Sequence, residues 1–354
     1  MRTMNPVRLP SLVVVLMIFC LPVMAQTRPG AAGPRAFQVE GDVEGTHDPS
    51  IIKEGDTWYL FGTATQHPRE GELPIRCSED LDYWKRCGYV LPQVPDWIKK
   101  ESPQTHELWA PDVSYFDGEY HLYYAFSVFG KNTSGIALLT NKTLDPRSPE
   151  FHWLDRGLVL RSGLDDDFNA IDPNLVIDAQ GQTWLAFGSF WSGIKMRRIN
   201  RPTGKLSEKD TKLYSLATRA RPTNTPPPPP NLPPNWEAIE APFVVHHAGY
   251  YYLFVSWDLC CRGTHSNYKT MVGRSRAVTG PYVDAKGTPM MEGGGTPLLV
   301  GNNHWLGPGG ESVLLQKKGG DIIVFHAYDA RSGKPSLQIS SIEWVGGWPR
   351  AALR

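Results

Sequence analysis

Short apolar runs separated by Gly- and Pro-containing turns fill almost the whole chain, and the three-to-four spacing of an amphipathic helix is nearly absent. Alternating and clustered apolar positions of this kind predict strands, so the expected fold is all-β. One phrase recurs: a polar or acidic start, often with proline, an apolar strand, a Gly-containing turn, then an aromatic-rich strand. It runs from His47-Asp48-Pro49 to Phe61, from Ala110-Pro111-Asp112 to Tyr124, from Asp172-Pro173-Asn174 to Phe187, from Glu240-Ala241-Pro242 to Phe254, and from Gly307-Pro308-Gly309-Gly310-Glu311 to His326. The copies lie about sixty to seventy residues apart, room for one four-stranded sheet each, so five copies predict a five-bladed β-propeller.

In a propeller the first strand of each blade lines the central axis. Equivalent positions at the strand starts therefore converge at one end of it. This places Asp48, Asp172 and Glu240 together despite their separation in sequence. Cleavage of a glycosidic bond needs one protonated carboxyl at the leaving oxygen and one ionised carboxylate to activate water or attack the sugar. A third carboxylate can hold the acid protonated by like-charge repulsion. Asp and Pro also punctuate ordinary turns, so a single copy of the phrase says little. Several axial copies point to glycoside chemistry. Asp112 is offset after Pro111 and reads as structural, which leaves Trp109 where Glu240 stands in its own copy.

Composition narrows the class. Lys+Arg and Asp+Glu both number 36, so bulk charge does not recruit a polyanion, and nucleic acid is not expected as a partner. Residues 1–25 carry Arg2 and Arg8, an apolar run from Ser11 to Leu21, and Val23-Met24-Ala25. This reads as a signal peptide, too short to span a bilayer, and predicts a secreted or periplasmic protein. Residues 26–40 are expected to be a flexible leader, and 41–354 the propeller. The proline tract at 221–235 is read as a surface insertion between blades three and four. Of the cysteines left after cleavage, Cys77 and Cys87 flank a turn and suit a local disulfide. Cys260-Cys261 leave open a vicinal disulfide or two buried thiols.

Taken in order, several motifs resemble the glycoside hydrolases of family 43, and within it the arabinan-degrading endo-1,5-α-L-arabinosidases. They are His47-Asp48-Pro49-Ser50-Ile51, Leu108-Trp109-Ala110-Pro111-Asp112-Val113, Asn169-Ala170-Ile171-Asp172-Pro173-Asn174, Gly188-Ser189-Phe190-Trp191-Ser192-Gly193-Ile194, Glu237-Ala238-Ile239-Glu240-Ala241-Pro242-Phe243, Cys260-Cys261-Arg262-Gly263 and His326-Ala327-Tyr328-Asp329-Ala330. The resemblance implies an inverting enzyme with Asp48 as general base, Glu240 as general acid, and Asp172 tuning Glu240 and orienting the sugar. It carries sugar contacts over to Phe129, Gly130, Asn169, Ala170, Ile171, Asp172, Ser189, Phe190 and Trp191, with Trp109 also available. The substrate it implies is arabinan or its oligosaccharides, acted on by a monomer. Exo-acting α-L-arabinofuranosidase or β-xylosidase activity is the alternative, since loops decide between pocket and groove. A non-catalytic sugar-binding propeller fits less well with all three carboxylates intact. The retaining five-bladed fructan hydrolases carry an Asn-Asp-Pro motif that is absent around Asp48.

One position departs from the family. Related arabinanases carry a His after Gly-Pro-Gly in the fifth blade, which holds an axial calcium ion through water, whereas this chain has Gly310. No required metal or other cofactor is therefore expected. Neighbours on a strand point to opposite faces, so Glu311 would need a bulge to take over, and His326 reads as a core histidine.

Overall fold

The computed structural model of the protein describes residue 1 and residues 33–63, 70–220 and 237–354. The rest of the expected signal peptide, residues 26–32 of the expected leader and the proline tract at 221–235 lie outside the described residues.

Five antiparallel sheets follow one another, each opened by the strand that the repeat predicts: Ser50–Glu54, Leu108–Phe116, Asn174–Ile177, Ile239–His247 and Trp305–Leu314. Aromatic-rich second strands pair with these: Thr57–Phe61, Glu119–Phe126, Thr183–Phe187, Tyr250–Trp257 and Ile322–Asp329. No strand is long, and each sheet is apolar on both faces, so the blades must bury themselves against one another. They do so through five clusters, one at each junction. Phe61, Ile75, Leu122 and Tyr124 join blades one and two. Phe116, Leu138, Leu175 and Phe187 join two and three. Ala186, Met196, Leu253 and Val255 join three and four. Phe254, Val272, Ile323 and Phe325 join four and five. Leu60, Trp84, Val324 and Ile339 join five back to one.

The ring closes through the N-terminal segment. The fifth sheet has only three strands of its own, ending with Pro335–Ser341. Phe37 N–H donates to Ile339 O (2.9 Å), Leu337 N–H to Val43 O (3.0 Å) and Gly45 N–H to Pro335 O (2.8 Å), which supplies its outer edge. Glu40–Gly41 then pairs in parallel with Tyr83 and Trp84 of blade one. The expected leader boundary at residue 40 is thus corrected: Arg35 to Val39 belong to the propeller, because an open sheet edge there needs a partner. The hairpin of Glu343–Val345 and Trp348–Arg350 packs Trp344 and Trp348 on Tyr252 of blade four.

Candidate active site

Each first strand enters the axis through a residue with positive φ: Asp48 (46°), Ala110 (44°), Asp172 (55°), Ala241 (51°) and Gly310 (59°). Only the fifth is glycine, so four L-residues accept left-handed strain at the same place in the repeat. In blades two, four and five the kink coincides with a bulge, since register shifts between Trp109 and Asp112, between Glu240 and Phe243, and on both sides of Gly309. The structural repeat therefore aligns Asp48 and Asp172 with Ala241. Glu240 sits one residue earlier, at the level of Trp109. The simple equivalence of the three carboxylates is corrected, yet the bulge still turns Glu240 toward the others.

A cavity of about 30 Å³ lies on the axis, lined by all five strand starts, among them Asp48, Asp112, Asp172, Gly310 and Glu311. Asp172 feels the charges of Glu240 and Asp48, and Glu240 that of Asp48. Burial first, then the charges of Glu240 and Asp48, holds the Asp172 carboxyl well above the usual carboxylate range. Asp172 Oδ2 accepts Ala241 N–H (3.0 Å) and so fixes the turn beside Glu240. Burial raises Glu240 to about 7, against the opposing pull of two hydroxyl donors. Those donors are Ser189, whose hydroxyl gives a 2.6 Å bond to Oε2, and Tyr268, whose phenol donates to Oε1. The Asp48 side chain is 28 % exposed. Its Oδ2 accepts from Thr63 Oγ1 (2.5 Å), and Thr63 in turn accepts Ala110 N–H (2.8 Å).

The expected sugar contacts divide into two groups. Phe129, 68 % exposed, stands on the loop after the second strand of blade two beside Gly130. Trp109, Ile171, Phe190 and Trp191 are half-buried. Ala170 is fully buried, Asn169 Oδ1 accepts from Ser134 Oγ (2.7 Å), and Ser189 is committed to Glu240. All three are buried. Tyr268 and Thr63 were not singled out from sequence. Neither belongs to the repeated phrase, and only a third-strand position and a turn after a second strand bring them to the axis. Asp112 is structural as expected: it accepts Leu175 N–H (2.7 Å) and Asn174 Nδ2–H (3.2 Å), and burial raises it to about 7.

The axial position does not suit calcium held as the resemblance implies. A Cβ on Gly310 would meet Asp48 Oδ1 at 2.6 Å and His326 Nδ1 at 2.8 Å. Glu311 lines the axial cavity as well, and burial raises it to about 7. Its Oε2 accepts from Ser256 and Thr270, while Oε1 has no partner among the described residues. Both cysteine pairs are disulfide-bonded, Cys77 to Cys87 and Cys260 to Cys261.

Among known proteins, the Glycosyl hydrolases family 43 profile matches residues 43–349. An extracellular endo-α-(1→5)-L-arabinanase of Bacillus subtilis is 42% identical over 305 residues, 86% of either chain. An extracellular exo-α-(1→5)-L-arabinofuranosidase of Cellvibrio japonicus is 41% identical over 312 residues, 86% of this chain and 85% of that one. Among solved structures, a Cellvibrio cellulosa α-L-arabinanase complexed with arabinohexaose superposes with a TM-score of 0.80 at 40% identity, over 88% of this chain and 96% of that one. The profile match over most of the chain, on a five-bladed propeller with carboxylates gathered at its axis, makes this protein a member of glycoside hydrolase family 43.

Proposed function

We propose that the protein hydrolyses the α-1,5-linked backbone of L-arabinan with inversion at the anomeric carbon, outside the cytoplasm and as a monomer. The observation that carries this reading is the division of labour among the axial carboxylates. Glu240 is buried and raised to about 7, as a proton donor to the leaving oxygen must be, while Asp48 reaches solvent and can take a proton from water. In the proposed reaction Asp48 Oδ1 accepts that proton as water attacks, with Oδ2 tied to Thr63. Glu240 gives its own proton to the departing sugar, and the Ser189 hydroxyl can turn to accept from protonated Glu240. Asp172 holds the backbone beside Glu240 and, by its own resistance to ionisation, keeps negative charge from accumulating on the axis. Phe129, Trp109 and Trp191 offer apolar faces to sugar rings.

Endo action is the first reading and exo action the second, because relatives named for each match this chain almost equally. The test is digestion of linear arabinan by enzyme treated with EDTA. Soluble arabino-oligosaccharides in a ladder are expected, at a rate that added calcium leaves unchanged. Release of one small product alone would establish the exo reading. Failure to digest arabinan both with and without added calcium would remove the substrate assignment, and failure that calcium reverses would establish a required metal.

A further inference from the structure

Asp48 sits in a second set of contacts that the reaction as written leaves unused. Its backbone N–H donates to His326 Nδ1 (3.3 Å). On the far side of that ring, His326 Nε2 lies 3.4 Å from the Tyr328 hydroxyl, and the same hydroxyl lies 3.0 Å from His47 Nε2. The His47 and His326 rings are 4.0 Å apart between centroids, and Asp48 Oδ1 lies 4.0 Å from His47 Nδ1 and 3.8 Å from His326 Nδ1.

Donor accounting gives these contacts one direction. A backbone N–H can only donate, so His326 Nδ1 is an acceptor and its single proton is on Nε2. Tyr328 Oη accepts Cys261 N–H (2.8 Å) and faces the His326 Nε2 proton, which leaves its own hydrogen for His47 Nε2. The Ser266 hydroxyl, which takes Arg262 N–H (3.0 Å), acts on Tyr328 as a donor and so does not draw off its hydrogen. With Nε2 accepting, the proton of neutral His47 is on Nδ1, aimed at the Asp48 carboxylate. Burial lowers both imidazoles below their ordinary range, so neither carries charge near neutral pH.

We propose that Tyr328, His326 and His47 are positioning residues for Asp48, joined in a one-way cycle that leaves its backbone N–H and returns to its carboxylate. At 4.0 Å the last step acts as an oriented dipole or through one water. It favours the ionised carboxylate without placing a cation on the axis. The tyrosine sets the sense of the cycle, because among the described residues it is the group that faces both rings' Nε2 atoms. The inference rests on the reading of Asp48 as the base.

The test uses the whole protein labelled with 15N, with imidazole tautomers read by two-bond 1H–15N correlation and assigned through single His→Gln variants. Wild type should hold His47 as the Nδ1–H form and His326 as the Nε2–H form. In Tyr328→Phe, His47 should lose its preference for Nδ1–H. Its kcat should fall about ten- to a hundredfold, as for a displaced catalytic group, with KM changed by less than about twofold, since substrate binding is untouched. His47 found as Nε2–H in wild type would overturn the proposal even if the variant fails to fold. So would Tyr328→Phe retaining both Nδ1–H on His47 and full kcat. Full activity in Asp48→Asn would instead remove the base assignment, and the tautomers would still decide whether the cycle exists.

Discussion

Glu240 meets two opposing demands. Burial pushes its proton affinity up, while the hydroxyls of Ser189 and Tyr268 donate to it and favour the charged form. Burial wins, and the group reaches about 7. A proton donor works only while protonated, so kcat/KM should fall as pH rises through about 7. Tyr268→Phe removes one donor to the ionised form. It should move this basic limb to higher pH, and a limb that stays put or moves down would contradict the bond's assigned effect. Exchange of Glu240 for Gln or of Asp48 for Asn should each cost at least ~10²-fold in rate. An arabinoside whose leaving group needs no proton should rescue Glu240→Gln and not Asp48→Asn. Equal loss on both kinds of substrate would speak against Glu240 as the acid.

The strand starts are the elements that bring these side chains together. Ser50 Oγ accepts Val113 N–H (3.1 Å), Asp112 accepts Leu175 N–H, and Asn174 Oδ1 accepts Val244 N–H (2.8 Å). In blades one to three a polar residue thereby holds the first strand of the next blade. Asn174→Ala would leave the buried Val244 N–H without a partner and strip a donor from Asp112. A loss of about 1–3 kcal/mol in unfolding free energy is expected from denaturant titration. No loss would mean that the apolar clusters alone set the spacing of the blades. Much of this level was legible in sequence, because Asp-Pro, Ala-Pro or, in the fifth blade, Gly-Pro marks each start. The offset of Glu240 was not, since it depends on a left-handed Ala241, and alanine carries no signal for that conformation. The two bulges of the fifth blade were hidden for a related reason: an alternating pattern gives no sign of where the register breaks. Tyr268 and Thr63 lie outside the repeated phrase, and only the folded ring reveals their partners.

At the scale of the molecule, the ring fixes how far apart acid and base can stand. Asp48 comes from blade one and Glu240 from blade four, across an axis that five blades keep open and that residues 35–45 close. The closure was hidden in sequence because the segment resembles a leader and pairs with strands almost 300 residues away; Phe37 N–H meets Ile339 O. A carboxylate that activates water needs room for that water, about 6.5–9.5 Å between the two carboxyls, whereas a nucleophile stands ~5 Å from its acid. The proposed role of Asp48 is to act through water on an arabinan bond. Its most direct test is proton NMR of α-1,5-arabino-oligosaccharides during the first turnovers, before the released reducing ends mutarotate. The predicted first-formed reducing end is the β-anomer. An α-anomer formed first would contradict the account.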